Sequence, residues 1–226
     1  MTDLSNLNNA PNNPKQNKTF LAFRPESVSW ILEVPASPEE GKGDQMLSII
    51  EEILVSFEDI LLVTDVACRL ESKDKPEETD SLQIVDSDGV TFQDLVSSIP
   101  KASWRITQIS LSGESKIQLL DSEHSICIVS DNYISCTKGG ILEKNPDKNP
   151  IEISVNQYEI FSSAPYQHDL QITTFTDIWF EDSNIGQTNQ RKLATALGEI
   201  YSRLQISNVR TGSETNPPDQ VWSPKQ

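Results

Sequence analysis

Helical periodicity is confined to two main stretches of this chain, and that confinement limits its fold more than any other feature. Met46, Leu47, Ile49, Ile50, Ile53, Leu54 and Phe57 fall on one helical face; Leu193, Ala196, Leu197, Ile200, Tyr201 and Leu204 repeat the i, i+3, i+4, i+7 spacing. Elsewhere the apolar residues come in short runs bounded by Pro, Gly, Asn, Asp and Ser, the punctuation of strands and turns. Such a pattern predicts an α+β fold, a mainly antiparallel sheet packed by helices.

Phe20–Phe23 and Val28–Val34, separated by Arg24, Pro25 and Glu26, predict two strands or one strand broken at the proline. After a stretch rich in Pro, Ser and Gly over 35–43, Asp44 stands as the expected N-cap of the first helix, which spans about 44–57. Ile60–Leu70 predicts a strand, 71–80 an exposed charged loop, Ser81–Val85 a strand and Asp86–Gly89 a turn. Thr91 with Asp94 has the form of a capping box, opening a short helix that stops at Pro100. From Ser103 to Cys136, runs of Ile, Val and Leu are cut at Gly113-Glu114, Asp121-Ser122-Glu123 and Asp131-Asn132, which predicts a four-stranded β-meander.

Residues 138–150, with Gly139-Gly140 and then Pro146 and Pro150 among asparagines, mark a crossing loop or a subdomain break. Ile151–Val155, Tyr158–Phe161 and Leu170–Phe175 are further strands, and the last helix spans about 189–205. The expected organisation is a disordered tail over 1–18, one domain over 19–208 with a meander, two main helices and one short helix, and a flexible tail over 209–226. Trp222 is the one group in that last tail with enough apolar area to dock, on the domain or on a partner.

Of the 34 carboxylates, 16 lie between Pro35 and Pro100 beside only Lys42, Arg69, Lys73 and Lys75, so this third of the chain holds three quarters of the net charge of −16. The resulting field repels nucleic acid and anionic membrane and attracts a basic protein surface. Scattered basic residues offer no track for phosphates, and no run of about 18 apolar residues exists to span a membrane. With no secretory signal either, the expectation is a soluble, cytoplasmic protein. Cys68, Cys127 and Cys136 are odd in number and each lies in an apolar run, as reduced core cysteines do, with Cys127 and Cys136 flanking a predicted hairpin.

Chemical motifs fail one by one. Asp86-Ser87-Asp88-Gly89 resembles the centre of a calcium loop, but the first and twelfth ligand positions fall on Ile84 and Leu95, so both essential carboxylates are missing. His124 and His168 are the only histidines, and neither has a Cys or His neighbour at zinc-ligand spacing. There is no Gly-x-Ser-x-Gly elbow, no phosphate loop after Gly139-Gly140 and no Gly-x-Gly-x-x-Gly. Glu51 with Glu52, and Glu77 with Glu78, are sequence neighbours that diverge into solvent instead of flanking one substrate. The expectation is a non-enzyme without cofactor or metal; an enzyme whose carboxylate site assembles across the fold would leave no local motif and stays open.

Thr174-Phe175-Thr176-Asp177-Ile178-Trp179-Phe180, followed by Asn189-Gln190-Arg191-Lys192-Leu193-Ala194-Thr195-Ala196-Leu197, resembles a C-terminal pattern of a group of uncharacterised bacterial proteins. There an Asp-(Ile/Leu)-Trp strand end precedes an Asn-x-x-(Arg/Lys)-Leu-x-x-Ala-Leu helix, and a Ser-Glu-Thr-Asp-Pro segment, similar to Ser213-Glu214-Thr215-Asn216-Pro217, follows it. The resemblance covers about a fifth of the chain and departs from the pattern at Arg191, where proline is frequent. It implies a shared module and no activity.

Within that module Trp179 is expected to cover the edge of the core and Asp177 or Asn189 to cap the helix; alternatively Asp177, Trp179, Glu181 and Asp182 form an acidic and aromatic rim for a basic partner. The leading expectation is a non-enzymatic bacterial protein that binds a basic protein partner through Glu51, Glu52, Glu77, Glu78 and this rim. Its sharpest form is an immunity protein that neutralises a toxin or effector. The alternative is a structural or assembly subunit held by apolar edge strands or Trp222.

Overall fold

The computed structural model of the protein describes residues 18–37, 42–100, 102–115, 125–130, 133–138, 151–158, 167–176, 184–212 and 221–224. In order these form β1 (Lys18–Pro35), α1 (Lys42–Ser56), β2 (Leu61–Ser72), β3 (Thr79–Val85), α2 (Phe92–Ser98), β4 (Trp104–Ser115), β5 (Ser125–Ser130), β6 (Tyr133–Lys138), β7 (Ile151–Tyr158), β8 (Gln167–Thr176), α3 (Asn184–Arg203) and β9 (Asn208–Gly212). The sheet runs β3-β2-β4-β7-β8-β1-β5-β6, with β9 also paired to β1. Every pairing is antiparallel except that of β1 with β5. The fold is α+β, with two main helices and one short one.

Period-two alternation gives the sheet one apolar face. Val28, Trp30, Leu32 and Val34 of β1, Ile151, Ile153 and Val155 of β7, and Leu170 and Ile172 of β8 are buried, whereas Glu33, Ser154 and Gln171 between them are half-buried. On the apolar face lie Met46, Ile49, Ile50 and Ile53 of α1 and Leu193, Ala196, Leu197 and Ile200 of α3, all buried in the same core. Each such Leu or Ile contributes about 1.5–3 kcal/mol of transfer free energy, which fixes the helices' orientation on the sheet.

Several local expectations hold. The first strand is one strand with an irregularity between Phe23 and Val28, where Pro25 has no N–H to give the ladder. Thr91 caps α2 with the full capping box: its side chain accepts from Asp94 N–H, and Asp94 accepts from Thr91 N–H. Gly89, at φ +109°, closes the turn that begins at Asp86.

Others are corrected. Helix α1 begins at Lys42, so Asp44 sits in its first turn instead of at the cap, still beside the positive end of the helix dipole. The charged loop shrinks to 73–78, because β2 extends to Ser72 and β3 begins at Thr79. No turn occurs at Gly113-Glu114: β4 runs through it, and Gly113 lies so close to β2 that an added Cβ would stand 1.9 Å from Leu62 O. The expected meander over 103–136 is therefore not one run. Strand β4 pairs with β2 and β7, while β5 and β6 form a hairpin that joins β1, with Cys127 opposite Cys136 in its register.

Helix α3 starts at Asn184, which puts Asn189 inside the helix and fully buried, not at its cap. The expected tail from 209 is also partly structure: β9 pairs with β1, Val221 is buried, and the Trp222 ring meets Tyr201 edge-on at 5.6 Å. Residues 1–17, 121–124 and 139–150 lie outside the described residues. Among those described, no helix is long and apolar enough to cross a membrane.

Candidate functional site

The β2–β3 hairpin gathers the local excess of carboxylates. Glu77 and Glu78 lead into β3, Asp80 lies within it, and Asp86 and Asp88 follow it; all five are exposed. Across the pair, Asp65 of β2 accepts from Gln83 Nε2 at 3.1 Å. Three of these acids are placed by short-range chemistry. Asp86 Oδ1 accepts the Asp88 N–H at 2.8 Å and shapes the turn, Asp80 Oδ1 accepts the Ser81 N–H at 2.8 Å, and Glu78 pairs with Lys75 at 2.7 Å. Strand β3 ends the sheet order, so these groups line an edge.

Of the acids expected as partner-binding residues, Glu77 and Glu78 belong to this edge. Glu51 and Glu52 do not: they lie on α1, Glu51 exposed and Glu52 paired with Arg203 of α3 at 3.0 Å. Among the described residues no hydrogen bond or ion pair joins the two groups. Asp177, Trp179, Glu181 and Asp182 lie outside the described residues. Asp65, Asp80, Asp86 and Asp88 are not among the acids expected to bind a partner, although the strand and turn expected over 81–89 place Asp86 and Asp88 just after β3.

Among the described residues, grooves include the following. One of about 450 Å³ is lined by Val34, Ser37, Gln45, Ser48, Glu52 and Arg203, with Gln45 bridging Pro35 O and Ser37 N–H at 2.8 and 2.9 Å. A second of about 350 Å³ includes Asp59, Arg191 and Lys192, whose Nζ donates to Asp59 O at 3.3 Å. A third of about 220 Å³ is lined by Phe57, Leu62, Val90 and Phe92 with Asp88 at its rim.

Three groups among the described residues have displaced titrations, and none of the three lines one of these grooves. Burial pushes the Cys68 thiol up to about 12, which keeps it protonated and unreactive, and pushes His168 down to about 4, which keeps it neutral. Hydrogen bonds from the Thr91 side chain and N–H hold Asp94 below the usual carboxylate range. Among the described residues no three His, Cys, Asp or Glu side chains converge as metal ligands. No family model, no curated protein and no solved structure matches this chain.

Proposed function

We propose that this chain is a non-enzymatic, cytoplasmic protein of bacterial type that binds a basic protein partner through its acidic surface, as an immunity protein binds a toxin or effector. The observation that carries this reading is the exposed series Glu77, Glu78, Asp80, Asp86 and Asp88 on one edge, which outnumbers the hairpin's cations Arg69, opposite Ser81, Lys73 and Lys75. Complementary charge of this density accelerates encounter and rejects acidic competitors. The assembly-subunit alternative draws less support, because Trp222, its best contact, packs against Tyr201 of the same chain.

The test is capture of partners from a lysate of the native organism with the tagged full chain, washed at low and then at high salt. A basic protein that salt releases, and that a Glu77→Gln/Glu78→Gln/Asp86→Asn/Asp88→Asn variant captures at least about tenfold less well, is the expected result. A stoichiometric set of proteins indifferent to salt and to all four substitutions would favour the subunit.

A further inference from the structure

Among the described residues, only one side of β3 is used by the sheet. Its ladder to β2 is bracketed by Ser72 N–H to Glu78 O at 3.0 Å and Asp86 N–H to Thr64 O at 2.9 Å, with unbroken register between them. Antiparallel alternation then turns the even-numbered residues toward β2 and directs the N–H and C=O groups of Thr79, Ser81, Gln83 and Val85 away from the sheet. All four residues are exposed, Val85 to 70%. An edge of this kind is a template for one more strand.

Charge selects which strand. A second copy of this chain pairing β3 antiparallel to β3 would bring Glu77 and Glu78 of one copy against Asp86 and Asp88 of the other, and like charges at facing positions oppose pairing. A neutral segment fares little better, because it meets Asp80, whose carboxylate already takes the Ser81 N–H from the edge. A segment with Lys or Arg near that point gives Asp80 an ion pair in exchange and frees the N–H for an incoming carbonyl. We infer that β3 accepts, by strand addition, an extended segment of a partner protein that carries Lys or Arg, with Asp80 discriminating against neutral strands. This inference rests on the basic-partner reading and supplies its mode of contact.

The test uses the isotope-labelled full chain and an end-capped peptide as long as β3, seven residues alternating Lys and Val. A second peptide has the same charge but is N-methylated at alternate amides. The first should shift and protect the amides of Ser81, Gln83 and Val85, and the methylated one should bind at least about tenfold more weakly. Gln83→Pro removes one outward N–H while keeping the backbone bonds to β2, and should weaken the first peptide similarly; Gln83→Ala, which loses only the side-chain bond to Asp65, should not. In Asp80→Ala, a Thr-Val peptide that the native chain rejects should bind. Equal, salt-sensitive affinity for the two Lys-Val peptides would overturn strand addition and leave the basic-partner reading standing. Absence of salt-sensitive binding by either would overturn both.

Discussion

His168 faces Val34 across the β1–β8 ladder and is fully buried, so its imidazole stays neutral to about pH 4 in the folded chain against 6.5 when exposed. The unfolded chain takes up the proton first, so stability is complete above about pH 6.5 and is lost as pH falls toward 4. Between about pH 7 and pH 5 the native protein should lose about 2 kcal/mol from this group. Urea unfolding at the two pH values should show that loss, and His168→Leu should lack it; equal losses in both would mean the histidine is hydrated. A second residue-level contest sits on the open face. Glu33 and Asp169 are direct partners on β1 and β8, and Arg210 of β9 reaches both, at 2.7 and 2.8 Å. Its exposure limits the effect, so Arg210→Gln should cost about 1 kcal/mol. Adding Asp169→Asn should recover part of it in a double-mutant cycle, because the like-charge pair is then gone.

Strand β4 depends on a glycine that the sequence presents as a turn signal. At Gly113 a Cβ would lie 1.9 Å from Leu62 O and 2.8 Å from Thr64 N, backbone atoms beside the bulge of β2 between Val63 and Asp65. Gly113→Ala should therefore destabilise by about 1–3 kcal/mol, read by chemical denaturation, because the two strands must part. A turn residue there would have tolerated alanine far better. The contrast shows which elements a sequence reveals. Thr91 and Asp94 act on each other within one turn, and the apolar faces of α1 and α3 repeat locally, so those helices were legible. The role of Gly113, the parallel pairing of β1 with β5 and the return of β9 to β1 are set by partners far away in sequence, which no local pattern encodes. The site divides in the same way. Charge alone points to Glu51, Glu52, Glu77 and Glu78 alike, whereas the pairing of β3 sets Asp80, Asp86 and Asp88 on one edge with Glu77 and Glu78 and separates Glu51 and Glu52 from them.

Across the whole molecule a net charge of −16 must be held in one folded chain. The ion pairs of Lys75, Arg203 and Arg210 involve half-exposed cations and are worth about 0–1 kcal/mol each. Against them, acids two positions apart in extended chain, as Glu78 just before β3 and Asp80 within it, are spaced by about 7 Å along the backbone, inside the Debye length of about 10 Å at 0.1 M salt. Repulsion then outweighs attraction, and screening should stabilise the fold. Calorimetry should show Tm rising by about 2–4 °C, roughly 1 kcal/mol, between about 10 and 200 mM sodium chloride. The Glu77→Gln/Glu78→Gln/Asp86→Asn/Asp88→Asn variant should start from a higher Tm at low salt and respond less to added salt. If Tm instead fell with salt in the native chain, the acids would be structural partners of the cations, and their role in recognition would lose its footing. If it rises, these carboxylates weaken the fold that carries them, and the substitutions that raise Tm should be the same ones that abolish capture of a basic partner, the trade expected of residues kept for binding.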